Sequence, residues 1–167
     1  MRSLLFVFLL SFSPGLFAQK QLDQNADCLV VIATFNNTKN IDDIWAYQYL
    51  GNKKIDSVKT STQKGFSFAF KPNKIYSIVI SKPGYYDRLV SITTALPPGV
   101  FPNPIFTFGF KTEFIAQKYD VDTYWLDFPI ARVAYDTASK NFNYNKKYTQ
   151  SIKQELFKLD LLKETKK

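Results

Sequence analysis

Between Lys74 and Leu89 the chain reads KIYSIVISKPGYYDRL, an alternating apolar stretch that stops at Lys82-Pro83-Gly84 and resumes with two tyrosines. Tyr76, Ile78 and Ile80 oppose Ser77, Val79 and Ser81. A period of two sends successive side chains to opposite faces, so this pattern predicts a half-buried strand. Pro83 presets φ and Gly84 tolerates a positive one, which together suit a type II turn. The return strand is predicted over 85–93.

The same grammar governs the chain upstream. DCLVVIATF (27–35) reads as a first apolar strand. IWAYQYL (44–50) puts Trp45, Tyr47 and Tyr49 on one face, and Gly51-Asn52 follows as a turn. KIDSVKTS then alternates Ile55, Ser57 and Lys59 against Asp56, Val58 and Thr60. After a turn at Gln63-Lys64-Gly65, FSFAF lines up Phe66, Phe68 and Phe70, and Pro72-Asn73 turns the chain again. Successive short strands joined by tight turns, with no helix between them, predict an antiparallel sandwich or barrel rather than a parallel α/β sheet.

Downstream, LPPGVFPNP (96–104) is a rigid loop expected to cross one end of the sandwich, since its prolines cannot serve an interior strand. IFTFGFKTEF aligns Phe106, Phe108, Phe110, Thr112 and Phe114 as a long strand, with Gly109 on the opposing side as the expected mark of a bulge or close contact. FPIARVAY predicts one more strand and Asp136 to Lys140 a turn. At the C-terminus the spacing changes to steps of three and four. Tyr148, Ile152, Leu156, Leu159 and Leu162 share one face of an amphipathic helix expected over about 146–163, packed on the sandwich or on a partner.

The N-terminus carries Arg2, an apolar run from Leu4 to Phe12, then Pro14 and Gly15. This is the pattern of a secretory leader spanning 1–19, cut near Ala18 or Gln19 and too short to span a bilayer. The expected organisation is therefore a signal peptide (1–19), a β-sandwich (20–143) and a C-terminal helix (144–167). Cys28 is the only cysteine. It cannot form an internal disulfide, and it is expected as a small buried side chain at a strand start. The net charge is +8, but the lysines are dispersed along strand ends and helix faces, so no nucleic-acid partner is expected.

The stretch from Gly51 to Ile92 resembles carboxypeptidase regulatory-like domains, members of the transthyretin-like group of β-sandwiches. The resemblance rests on Thr60, Lys64, Gly65, Phe66, Phe68, Tyr76, Ile78, Ile80, Lys82, Gly84 and Tyr85. The segment FPIARVAYD…FNYNKKY is similar to the C-terminal half of such proteins in bacterial envelopes. The family usually opens with Gly-x-Val and a Gly-x-Pro-Leu turn, and IATFNNTKNIDDIWAY has neither the glycine nor the proline. The resemblance implies a mainly β, antiparallel Ig/transthyretin-like sandwich of about seven strands with a structural or adhesive role. Its motif residues are turn and core positions, so it transfers no catalytic ones.

Histidine is absent, which excludes a Ser-His-Asp triad, a Cys-His pair and a histidine-based zinc site. No Gly-rich phosphate loop is present. Three aspartates, Asp120, Asp122 and Asp127, cluster with Glu113 upstream. They would suit a carboxylate hydrolase or a calcium site, but are read first as a solvated loop. Asp42-Asp43 is read the same way, with a local cap. Tyr85, Tyr86, Tyr124 and Trp125 are the candidate ligand-contact aromatics, able to stack on a sugar ring while a hydroxyl keeps its hydrogen bond. Asn36-Asn37-Thr38 fits the glycosylation sequon and is expected to be unmodified in a bacterium. The chain is thus expected to be an exported, non-catalytic interaction module of the periplasm or cell surface, without cofactor. Its partner would be an envelope protein or, alternatively, a cell-surface glycan.

Overall fold

The computed structural model describes residues 22–36, 41–117 and 123–158. The leader, Asn37 and Thr38 of the sequon, Asp120, Asp122, Leu159 and Leu162 lie outside the described residues. Among the described residues nine strands run in the order β1 (Leu29–Phe35), β2 (Ile44–Leu50), β3 (Lys53–Thr60), β4 (Phe66–Phe70), β5 (Ile75–Ser81), β6 (Arg88–Thr93), β7 (Phe106–Thr112), β8 (Ala131–Asp136) and β9 (Asn141–Tyr144). A 3₁₀ turn at Tyr124–Asp127 precedes β8, and one helix, α1 (Lys146–Lys158), follows β9.

The strands form two sheets, β4-β1-β7 and β3-β2-β5-β6-β8-β9. Pairing is antiparallel except for β1 with β7 and β6 with β8, which run parallel. Both parallel pairs join strands separated by long excursions. The proline loop carries the chain from β6 in one sheet to β7 in the other, and Val100 donates to the Pro97 carbonyl (3.1 Å) around Gly99 (φ +80°). β8 and β9 raise the strand count above the expected seven. They form a short edge hairpin whose alternation is weak, with Phe142 the one buried residue of β9.

The inner faces follow the alternation. Leu29, Val31, Ala33, Phe66, Phe68, Phe70, Tyr76, Ile78 and Ile80 are all buried in one cluster. Each fully buried side chain of this kind contributes about 1.5–3 kcal/mol. Buried Gln48 of β2 donates from Nε2 to the Ala69 carbonyl of β4 (3.0 Å), a polar tie between the two sheets. Cys28 is fully buried just before β1, as expected.

Two readings are corrected. The return strand begins at Arg88, not Tyr85. Lys82 to Tyr85 close the expected turn through a Tyr85 N–H to Lys82 O bond (3.0 Å) with Gly84 at φ +81°, and Tyr85 then makes only an isolated bridge to Ala116. Gly109 marks neither bulge nor close contact. The β1–β7 register runs through it unbroken, and a Cβ there would meet nothing within 4 Å.

α1 starts where the spacing predicts. The Asn145 side chain accepts from the Tyr148 N–H (2.9 Å), satisfying one orphan donor of the first turn. The Tyr148 hydroxyl donates to the Pro129 carbonyl (2.8 Å), and the Arg132 guanidinium lies 4.2 Å from the Tyr148 ring centroid. These contacts hold the helix against β8. Ile152 and Leu156 then bury in a second apolar cluster with Ile115, joined by Tyr86, Trp125 and Phe128.

Gly65 is the most crowded of the glycines described: φ is +63°, and a Cβ would run into the Ala33 carbonyl oxygen of β1. Gly84 has a similar φ but open space around it. Gly84→Ala is therefore expected to cost about 1–2 kcal/mol from φ alone, and Gly65→Ala clearly more. Urea unfolding of the two variants checks the order.

Candidate functional site

The four aromatics singled out in the sequence do not form one flat surface. Tyr85 packs edge-on against Phe114, with centroids 5.5 Å apart. Tyr86 and Trp125 both lean into the cluster under α1. Tyr124 is 57% exposed, but its ring stands at 80° to Trp125 and 65° to Phe128. The structure thus joins Tyr124 to Trp125 as a T-shaped pair and leaves Tyr85 on the main core.

A different aromatic row reaches solvent. Ile44, Ala46 and buried Gln48 face inward, so the alternation of β2 sends Trp45, Tyr47 and Tyr49 outward. Trp45 and Tyr47 lie parallel, with 3° between planes and 6.0 Å between centroids, and the Lys54 ammonium sits 5.2 Å from the Tyr47 ring centroid. Across the sheet Tyr47 faces Val79, and Val79 faces Leu89. The signal for this row was the alternation itself, once the buried side of the strand was known.

Of the carboxylates, Asp127 is exposed in the 3₁₀ turn. Asp43 pairs with Lys59 at 2.6 Å, which holds its carboxyl below the usual range. Both partners are exposed, so the pair adds little stability. Among the described residues no three His, Cys, Asp or Glu side chains gather as a metal site. The Cys28 thiol is pushed up to about 11 by burial.

The most unusual feature lies inside. Arg88 begins β6 in register with Val90 and Ile92, so the same alternation that buries them points it inward, and it is only 5% exposed. It lines a cavity of about 310 Å³ between β6, β7, β8 and the inner side of α1. Thr112 and Thr149 are among its lining residues. Apolar wall is supplied by Val90, Phe108, Val133, Ile152 and Leu156, while Lys111, Lys153 and Glu113 stand among the remaining lining residues. Arg88 Nε, Thr112 Oγ1 and Thr149 Oγ1 are the buried side-chain polar atoms without a hydrogen-bond partner among the described residues, and all three belong to residues that line this cavity, the atoms themselves being closed off from water. Arg88 forms no ion pair within 4 Å among those residues. Burial pushes its guanidinium down to about 10, with the Glu113 carboxylate pulling the other way, so it stays cationic at neutral pH.

No family model matches this chain, and no curated protein matches it in sequence.

Three outcomes are expected from these environments. Cys28 resists a thiol reagent in the native state at pH 8 and reacts once guanidinium unfolds the chain. Its raised folded pKa also means a share of stability fully present below about pH 9 and lost as the pH climbs through about 11, readable in denaturant midpoints across that window. Arg88→Met, which removes a buried unpaired charge at similar volume, is expected to stabilise the ligand-free protein by about 1–4 kcal/mol in chemical denaturation.

Proposed function

We propose that this chain is an exported, non-catalytic β-sandwich module that works by contact with another protein of the bacterial envelope. The observation carrying this reading is the outward row of Trp45, Tyr47 and Tyr49, continued by Val79 and Leu89 on a sheet face whose residues remain partly exposed. Interface centres are enriched in such aromatics and depleted in charge, whereas their rims are polar. Lys54 borders the row across from Tyr49, and an acidic group of the partner would complement it; Lys59, across from Trp45, is already paired with Asp43. The leader pattern and the likeness of Gly51–Ile92 to transthyretin-like sandwiches support the same reading.

A second reading, a carbohydrate-binding module, draws on the parallel planes of Trp45 and Tyr47. A sugar needs a free ring face, however, and Lys54 already lies near that of Tyr47. This favours the protein partner.

The test is affinity capture from envelope extract by the leader-free chain and two variants. Trp45→Ser/Tyr47→Ser is expected to lose the captured protein. Ile32→Ser, altering an exposed residue of the other sheet, is expected to keep it. Equal capture by all three sinks the assigned face. Retention on a glycan array with no protein captured hands the case to the second reading, and substrate turnover abolished by Asp127→Asn makes the chain an enzyme.

A further inference from the structure

The cavity beside α1 has the makings of a ligand site independent of the outer face. A guanidinium that is 5% exposed and has no ion pair within 4 Å among the described residues is a buried charge met only from a distance by the Glu113 carboxylate. Such a charge costs several kcal/mol unless an anion meets it. Thr112 and Thr149 line the same space, and their hydroxyl oxygens, like Arg88 Nε, are buried behind its wall without a partner among the described residues. Unpaired buried polar atoms are rare, and their gathering around one buried cation marks this wall as built for something other than apolar packing.

We propose that this cavity binds an amphipathic monocarboxylate, its carboxylate received by the Arg88 guanidinium and its apolar body lying against Phe108, Val133 and Ile152. The planar guanidinium fork matches a carboxylate with two parallel hydrogen bonds. A phosphate fits less well. The apolar part of the wall has nothing to bind in a phosphate, and Glu113 in the lining repels a second negative charge. At about 310 Å³ the space lies at the small end of ligand pockets, suited to a short-chain acid or a terminal residue rather than a large cofactor. Lys111 and Lys153 add positive charge to the lining and favour entry of an anion. Two sources share this chemistry: a free aliphatic acid and the C-terminal carboxylate of a peptide ending in an apolar residue.

Thermal unfolding and calorimetry of the leader-free chain with four probes distinguish them. The probes are octanoate, octanamide, a tripeptide ending in a free leucine carboxylate, and the same tripeptide amidated; inorganic phosphate serves as the anion control. At least one acid is expected to bind and raise the melting temperature, while its amide and phosphate do not. Octanoate alone assigns a free acid, and the tripeptide alone assigns a chain terminus. Arg88→Met is expected to weaken binding roughly thirtyfold or more, as loss of one partner of a buried charge pair does. Thr112→Val is expected to weaken it less. Trp45→Ser/Tyr47→Ser is expected to bind like the parent, which separates this proposal from the outer-face reading. Equal shifts by an acid and its amide, a shift by phosphate alone, no binding by either acid, or undiminished binding by Arg88→Met overturns it. Should Arg88→Met fail to fold, the acid–amide comparison on the parent chain decides.

Discussion

Three strands have to cover the inner face of six. At about 4.8 Å per strand, the β3-β2-β5-β6-β8-β9 sheet is roughly 14 Å wider than β4-β1-β7. Two inner faces that differ this much cannot seal each other by strand packing alone. The main core closes around β1, where Leu29, Val31 and Ala33 meet the phenylalanines of β4 in register. Toward β8 and β9 the cover is improvised from Phe106 against Tyr135 and Phe142, and from α1 with the aromatics that precede β8. The helix is thus a structural necessity of the unequal sheets, and the cavity lies where that improvised cover leaves space.

What fills the seam decides its chemistry. Had β6 opened with a leucine, the space would be an apolar void of the kind that natural cores shrink or fill. Arg88 makes it polar and cationic instead. A strand residue cannot move its side chain to solvent by a small rotation when its neighbours two positions on are buried, so the guanidinium is held inside by Val90 and Ile92. A protein that keeps such a charge forgoes stability for it, and the unpaired threonine hydroxyls alongside extend the same pattern.

Strand alternation also gives the molecule two unlike faces from the same residues. β6 turns Arg88 and Val90 inward and Leu89 outward, and β2 turns Gln48 inward to tie the sheets while Trp45, Tyr47 and Tyr49 look out. The outer row and the inner cavity are therefore independent surfaces. Contact at one need not disturb the other, because a sheet of paired backbone separates them.

The chain by itself determined most of the strands, since a period of two is a local property: Phe66, Phe68 and Phe70, or Tyr76, Ile78 and Ile80, must share a face wherever the strand goes. It also determined the turn at Pro83-Gly84, set by the backbone preferences of two residues, and the helix start at Lys146, set by the steps of three and four that begin at Tyr148. It did not determine which face each strand buries, because aromatic residues suit a core and an exposed surface alike. That is why Trp45 and Tyr47 were legible as a row but not as an outer one. Nor did it determine the cavity. Arg88, Thr112 and Thr149 are far apart in sequence, each unremarkable alone, and only the parallel β6–β8 pairing and the docking of α1 bring them to one space. A buried charge is a fact about surroundings, and surroundings belong to the tertiary structure.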